Sequence, residues 1–200
     1  MDVINYIFGA VTIISVFITI YYGRKSIRLE KEKNKIDWAD LQLAVKSLSR
    51  ELVLRKFIPD IIITPGLRGA TLANLLEQEF TYKKNIPVFV GITLSKNTNN
   101  INEYSKEYVK LETSKWVVLI PCCIFSMSGK KILILDDYVM TGDFLQNMID
   151  SIVKSGINKQ NIKSMALATT KTAIDSNKNP DFYWHITKDS KFLFPWGESK

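Results

Sequence analysis

Short apolar runs that alternate with helical stretches constrain the fold of this chain more than any other feature. Ile61-Ile62-Ile63 and Ile132-Leu133-Ile134-Leu135 are apolar at every position, which is typical of central parallel strands covered by helices on both faces. We therefore predict an α/β fold with a doubly wound, mainly parallel sheet, in which ligands bind at the carboxyl ends of the strands. The predicted strands are 60–64, 88–94, 116–125, 132–135 and 162–169, and the predicted helices are 70–80 and 144–154.

The domain is predicted to open with a helix that carries its own start signals. Asp37 is placed to cap it with Asp40 at the third helical position, and Ile36 is placed to pack on Leu41. Apolar residues then recur at helical spacing. The helix is expected to end near Phe57, before a proline.

The N-terminal stretch from Val3 to Tyr22 contains no charged residue. At about 1.5 Å per residue it spans roughly the 30 Å hydrocarbon core of a bilayer as a helix. A cleaved signal peptide would need a basic start and a small-residue cleavage site, which are absent, and a buried core helix is the remaining alternative. We predict a transmembrane helix, preceding an α/β domain.

Positive charge follows this span, whereas Asp2 is the only charge before it. The positive-inside rule therefore predicts a single-pass membrane protein with its N-terminus outside and its C-terminal domain cytoplasmic. The predicted divisions are an anchor (1–22), a charged stalk (23–35) and a domain (36–200). Lipid headgroups account for much of the net charge of +7, and nucleic acid is not an expected partner. The basic residues are Arg24, Lys25, Arg28, Lys31, Lys33 and Lys35.

The segment 131–145 carries the sharpest chemical signal. A buried strand delivers Asp136 and Asp137, and a Thr141-Gly142 turn then opens a helix. Backbone N–H groups at a helix start bind phosphate, and paired carboxylates accept hydrogen bonds from sugar hydroxyls and help to hold Mg²⁺. These residues predict a ribose-phosphate site, with an acidic pair at the strand end of some other α/β fold as the alternative.

This pattern of four apolar residues, two acids and a Thr-Gly turn resembles the phosphoribosyl-diphosphate motif of type I phosphoribosyltransferases. Residues 59–76 resemble the first strand, pyrophosphate loop and following helix of that family. Residues 194–197, Phe-Pro-Trp-Gly, resemble the Pro-Trp element of its xanthine-guanine and hypoxanthine branch. The resemblance covers roughly residues 37 to 197, so the anchor lies outside it.

The resemblance implies a Mg²⁺-dependent enzyme that moves ribose 5-phosphate from phosphoribosyl diphosphate to a purine-like base. Asp136 and Asp137 would be catalytic and hold the metal, and Arg68 would act on the departing diphosphate. The expected partners are phosphoribosyl diphosphate, a base or nucleotide, the membrane through residues 3–22, and a second copy in a homodimer. The implied ligand-binding residues are Gly66, Leu67, Gly69, Thr141, Gly142, Asp143, Phe144, Lys171 and Trp196.

Three residues near the C-terminus have plain alternatives. Lys171 would donate to a purine 6-oxo group, although a solvated loop lysine fits the sequence equally well. Trp196 would lie against the base, or else fill an edge of the core. His185 lies in an aromatic run and is predicted to be structural.

Two positions depart from the family pattern. Met140 replaces the aspartate proposed as general base in the oxopurine branch, and Phe144 replaces a hydroxyl residue that binds the 5′-phosphate. A second hypothesis is therefore a catalytically weakened module that senses a nucleotide or phosphoribosyl diphosphate at the membrane. A transport or scaffold accessory is the third.

Two further segments carry expectations. Residues 95–114 are predicted to form a long, mobile or weakly structured lid. Cys122 and Cys123 suit neither a disulfide framework nor a zinc site. We expect both cysteines to be buried as small apolar residues.

Overall fold

The computed structural model describes residues 14–23, 34–80, 85–97, 106–113, 116–188 and 191–199. Residues 3–13 of the predicted span, and 24–33 of the predicted stalk, lie outside them. Among the described residues no helix combines the length and apolarity needed to cross a bilayer. The end of the predicted span is helical, at 14–23, and its large apolar side chains are exposed.

Helices and strands alternate along the domain, as the apolar runs predict. The helices are α1 (14–23), α2 (Trp38–Leu54), α3 (Leu67–Glu79), α4 (Asp143–Lys154) and α5 (Lys171–Asp175). The strands are β1 (Ile61–Thr64), β2 (Val88–Val90), β3 (Ile92–Ser95), β4 (Tyr108–Glu112), β5 (Trp116–Pro121), β6 (Ile132–Val139), β7 (Ile162–Thr170), β8 (Phe182–Thr187), β9 (Leu193–Phe194) and β10 (Gly197–Glu198).

The central sheet has the order β2-β1-β6-β7-β8, and every neighbouring pair in it is parallel. Its two faces use alternate residues of the same strands. Ile62 and Leu133 pack with α2 and α3, whereas Ile61 and Ile132 pack with α4. The prediction of a parallel sheet covered on both faces is confirmed, and apolar residues at every strand position follow from this double burial.

A second sheet, antiparallel and ordered β3-β5-β4, corrects two predictions. The predicted strand 88–94 is broken at Gly91, where the chain leaves the central sheet for the second one. A Cβ at Gly91 would lie 2.8 Å from the carbonyl oxygen of Pro65, so only glycine fits this crossing. The predicted weakly structured excursion 95–114 contains β4, paired with β5 along Tyr108–Glu112, and residues 98–105 lie outside the described part.

The predicted strand 116–125 ends at Pro121, and a 3-10 helix follows at Cys122–Ser126. Cys122 and Cys123 are consequently exposed and unpaired with each other. The expectation of two buried cysteines is wrong, because it required the apolar run to continue as a strand.

The first helix of the domain begins as predicted. The Asp37 side chain accepts from the Asp40 N–H at 2.9 Å, and the Asp37 N–H donates to the Asp40 carboxylate at 3.3 Å. Ile36 and Leu41 are both buried in the core cluster beneath the helix. The helix ends at Leu54, slightly before the predicted end near Phe57.

Candidate functional site

A cavity of about 980 Å³ lies where β1 and β6 end and α3 and α4 begin. This is the carboxyl edge of the parallel sheet, where ligands bind in doubly wound folds. The cavity brings together most of the predicted site residues, namely Gly66, Leu67, Arg68, Gly69, Asp136, Asp137, Thr141, Gly142, Asp143 and Phe144. Lys171 and Trp196 do not line it.

The first turn of α3 packs closely against β6 and the end of β1. A Cβ at Gly69 would lie 2.6 Å from the carbonyl oxygen of Leu135 and 3.0 Å from Cβ of Thr64. Helix α3 starts at Leu67, three residues earlier than the sequence pattern indicates, with Gly66 as an N-cap that makes no side-chain hydrogen bond. The uncapped N–H groups of this first turn lie beside the cavity and suit an anion.

The turn from β6 into α4 requires glycine for two separate reasons. Gly142 has φ +76°, in the left-handed region, and a Cβ there would lie 2.0 Å from the carbonyl oxygen of Lys178. Gly142 provides no side-chain cap for α4, and the Asp143 N–H makes only a long hydrogen bond, 3.4 Å, to Thr141 Oγ1. A second uncapped helix start therefore faces the cavity, next to the Thr141 hydroxyl.

Asp143, the first residue of α4, is neutralised by a neighbour. Lys178 Nζ lies 2.5 Å from Asp143 Oδ1, and this hydrogen bond, with a further one to Thr141, lowers the pKa of the exposed carboxyl. The negative charge beside the helix start is thus offset by a lysine that is distant in sequence.

The acidic pair lies within β6 and not after it, because this strand continues to Val139. Asp136 is half-buried and Asp137 is buried, with 5% of its surface exposed. Burial, together with the charge of Asp137, raises the pKa of the Asp136 carboxyl well above its ordinary value. The charge of Asp137 therefore disfavours a second negative charge on Asp136 at the cavity.

Asp137 has partners that the sequence does not indicate. The Trp196 indole Nε1 donates to Asp137 Oδ2 at 2.9 Å, and Arg68 Nη1 lies 3.9 Å from the same oxygen. The same Arg68 Nη1 donates to the carbonyl oxygen of Glu198 at 2.7 Å. Trp196, expected against a base, lies here against a site carboxylate and stacks on Phe194 at 5.4 Å.

Lys171 and His185 lie away from the cavity lining. Lys171 is the exposed first residue of α5. His185 is on β8, and its ring centroid lies 5.2 Å from that of Phe192 and 6.0 Å from that of Trp184. These aromatic contacts fit the structural role expected for His185.

Several cavity residues come from the second sheet and its surroundings, and the sequence analysis missed them. Trp116, Glu112 and Thr93 lie on three different strands, and Asn147 lies one turn into α4. Only the pairing of β3, β5 and β4 brings the first three together. A local pattern in the sequence does not reveal them, since their closeness depends on long-range strand pairing.

No protein-family model matches the sequence, and no curated protein matches it. Solved structures do. A purine phosphoribosyltransferase from Pyrococcus horikoshii has a TM-score of 0.59 at 24% identity, over 83% of this chain and 94% of that one. The Helicobacter pylori xanthine-guanine-hypoxanthine phosphoribosyltransferase also has a TM-score of 0.59, at 14% identity, over 82% of this chain and 93% of that one.

A third structure, a hypothetical protein from Neisseria gonorrhoeae with bound ppGpp, has a TM-score of 0.57 at 16% identity, over 82% of this chain and 89% of that one. All three likenesses extend over most of both chains, so they concern the whole domain and not a single motif. The described domain therefore has the fold of the purine phosphoribosyltransferases, the type I phosphoribosyltransferase fold.

Proposed function

We propose that this protein is a membrane-anchored phosphoribosyltransferase that moves ribose 5-phosphate from phosphoribosyl diphosphate to a purine-like base. One observation carries the proposal: a single cavity is bordered by two uncapped helix starts and a pair of aspartates. Phosphoribosyl diphosphate has two anionic groups, a 5′-phosphate and a diphosphate, separated by a sugar with vicinal hydroxyls. The cavity offers complementary groups to each part.

The 5′-phosphate is assigned to the start of α4. The Thr141 hydroxyl and the backbone N–H groups after Gly142 line the cavity there. Phe144 supplies no hydroxyl at the position where the family pattern has one, so this phosphate depends mainly on backbone donors. The ion pair of Asp143 with Lys178 reduces the repulsion that the carboxylate would exert.

The diphosphate is assigned to the start of α3, where the turn Pro65-Gly66 and Arg68 border the cavity. Arg68 carries a permanent charge and a planar set of donors suited to phosphate oxygens. As the bond from the sugar to the diphosphate lengthens, negative charge grows on the departing group. An arginine fixed nearby stabilises that charge more than it stabilises the intact substrate.

Mg²⁺ fits the acidic pair. Proteins bind this ion through one or two carboxylates, together with substrate phosphates and water. A cluster of three protein ligands is therefore not required, and the described residues contain no such cluster. Asp136 and Asp137 would hold the ion, which would supply positive charge against the charge of the diphosphate. Burial and the charge of Asp137 raise the pKa of Asp136, so Asp136 would have to be deprotonated to hold the ion.

Base recognition is assigned in part to residues of the cavity and in part to residues that do not line it. Met140 lines the cavity and moves no proton, so Asp136, Arg68 and the backbone donors act through charge rather than through base catalysis. Trp116 also lines the cavity and offers an aromatic surface to a base. Lys171 and Trp196 remain predicted base contacts.

The membrane anchor remains a proposal supported by the sequence of 3–22 and by α1. Phe17, Tyr21 and Tyr22 of this helix are all more than 60% exposed. The hydroxyl of Thr19 donates to the Ser15 carbonyl at 2.8 Å, which satisfies it within the helix. Such a surface suits contact with lipid better than contact with water. With the basic residues after the span, this arrangement favours a cytoplasmic domain.

The test is a reaction of the full chain in detergent with phosphoribosyl diphosphate, Mg²⁺ and a panel of purine and pyrimidine bases. Mass spectrometry should detect one nucleotide together with diphosphate. Asp137→Asn should abolish the product, and Lys188→Ala, a change outside the cavity, should not. Absence of product and of ligand binding with every base would refute the proposal.

A second candidate, a sensor of a nucleotide or of phosphoribosyl diphosphate, is favoured by Met140 and Phe144. It also gains support from the Neisseria gonorrhoeae structure, which has ppGpp bound in the same fold. A sensor would bind its ligand in calorimetric titration and form no product with any base. The same pair of assays therefore separates the two candidates.

A further inference from the structure

Two charged groups of the site are held by one C-terminal hairpin, which we define as residues 192–199. Trp196 of this hairpin donates to Asp137 Oδ2 at 2.9 Å, and the Glu198 carbonyl accepts from Arg68 Nη1 at 2.7 Å. In this arrangement one nitrogen of the arginine and one oxygen of the aspartate are committed to the hairpin. Both are groups that a sugar diphosphate would need.

The same hairpin is bonded to the segment that leads into α2. The Leu193 N–H donates to the Asn34 carbonyl at 2.8 Å, and the Ile36 N–H donates to the Leu193 carbonyl at 2.9 Å. Asn34 is also held by β8, because the hydroxyl of Thr187 at the end of that strand donates to Asn34 Oδ1 at 2.9 Å. Residues 34 and 35 are the last two of the predicted stalk and Ile36 is the first of the predicted domain. The end of the stalk is therefore bonded directly to the hairpin.

The hairpin is suited to transmit a displacement. Trp196 stacks on Phe194 at 5.4 Å with an interplanar angle of 1°, so a movement of β9 moves the indole with it. Strands β9 and β10 have two residues each, and a ribbon of that size has little stability of its own. Its position therefore depends on contacts outside the ribbon. These are residues 34–36, the site, and the core, in which the side chains of Phe192 and Phe194 are buried.

We propose that the C-terminal hairpin is a latch that couples the segment 34–36 to the substrate site. With the latch closed, Arg68 and Asp137 are held by the hairpin. When the pairing of Leu193 with residues 34–36 loosens, the hairpin releases them for an anionic ligand. Because 34–36 includes the end of the predicted stalk, a change at the membrane would alter ligand affinity. The part of this inference that concerns ligand affinity rests on the proposed function.

The test compares Leu193→Pro with Leu193→Ala in the full chain. Proline removes the N–H that donates to Asn34, whereas alanine keeps it, and the Leu193 side chain is 43% exposed. The first readout is the rate at which phenylglyoxal modifies the Arg68 guanidinium, followed by peptide mass spectrometry, with exposed Arg55 as internal reference. The second readout is the Kd of phosphoribosyl diphosphate with Mg²⁺ and no base.

Leu193→Pro should raise the Arg68 modification rate and tighten ligand binding, each about threefold or more, as expected for the loss of one hydrogen bond that holds the closed state. Leu193→Ala should match the parent protein. Thr187→Val keeps the side-chain shape and removes the bond that holds Asn34 to β8. Because a looser Asn34 pairs less firmly with Leu193, both readouts should change in the same direction. Thr187→Val decides the question if the proline variant does not fold.

An Arg68 rate that stays at the parent value in Leu193→Pro and Thr187→Val would overturn the latch, and so would equal effects of proline and alanine. A faster Arg68 reaction without ligand binding in any variant would support the latch. The same result would count against the proposed ligand, so failure of the latch and failure of the proposed function are distinguishable.

Discussion

The hydrogen bond from Trp196 to Asp137 gives the sharpest quantitative expectation. Trp196→Phe keeps an aromatic ring to stack on Phe194 and removes the N–H that donates to Asp137 Oδ2. Asp137 is only 5% exposed, so water has little access to replace the lost donor. The change therefore leaves a buried carboxylate oxygen with Arg68, at 3.9 Å, as its nearest charged partner.

A hydrogen bond to a charged group contributes about 1.5–3 kcal/mol, and an unsatisfied buried partner adds to its loss. We expect Trp196→Phe to lower the free energy of unfolding by about 2–3 kcal/mol. For a domain of this size the corresponding drop in Tm is about 4–12 °C. The variant should nevertheless bind phosphoribosyl diphosphate at least as tightly as the parent, because the latch is weakened.

The matched control is Trp38→Phe. Trp38 loses the same atoms, but it is 58% exposed and meets Trp196 only at a ring edge, with centroids 6.3 Å apart. Trp38→Phe should change the free energy of unfolding by no more than about 0.5 kcal/mol, as most surface changes do. Urea unfolding of the full chain in detergent, followed by fluorescence and circular dichroism, measures both variants.

Equal urea midpoints for Trp196→Phe and Trp38→Phe would refute the reasoning. They would show that the indole N–H contributes nothing beyond packing. A normal stability with greatly weakened ligand binding would instead favour the original expectation that Trp196 contacts the ligand.

Three further changes have defined outcomes. Asp136→Asn should stabilise the protein at neutral pH and abolish Mg²⁺-dependent ligand binding. Burial raises the pKa of Asp136, so its contribution to stability is present below the ordinary aspartate pKa and is lost as pH rises through the folded-state pKa. Asparagine does not titrate, so the urea midpoints of the parent and of Asp136→Asn should diverge with rising pH, with the variant the more stable. Gly142→Ala should lower the free energy of unfolding by about 2–5 kcal/mol, from left-handed strain plus the clash with Lys178. Gly129→Ala is the control, because Gly129 also has φ +76° but lies in open space, so this change should show the strain alone. Equal losses of unfolding free energy in the two variants would exclude the clash. Phe144→Thr should restore a phosphate donor and lower the Kd for ribose 5-phosphate about tenfold, while Phe144→Ala, which adds no donor, should not tighten binding in the same titration.

Local sequence patterns were sufficient for the fold class and for the start of the site. The all-apolar runs at Ile61 and Ile132 predict a parallel sheet covered on both faces. A strand with one face in solvent would alternate apolar and polar residues, and these runs do not. Capping at Asp37 and the turn at Gly142 were also recognisable, since a cap and a left-handed glycine depend on a few neighbouring residues. These are interactions within one turn of chain.

Errors arose where a residue's environment is set by distant chain. The run from Trp116 looked like one long strand, yet it ends at Pro121 and leaves Cys122 exposed. The run from Val88 looked like one strand, yet at Gly91 it passes from one sheet to another. Hydropathy cannot distinguish a strand that continues from one that ends or changes sheet, because the residues that follow are apolar in each case.

The sequence by itself determined which residues reach the ligand-binding edge of the sheet, because strand, turn and helix signals lie next to Asp136 and Gly142. Only the tertiary structure decided what those residues touch. Trp196 meets Asp137 across 59 positions, and Glu198 meets Arg68 across 130. Such contacts follow from how the hairpin packs on the finished sheet, and that packing is a property of the whole domain rather than of any segment within it.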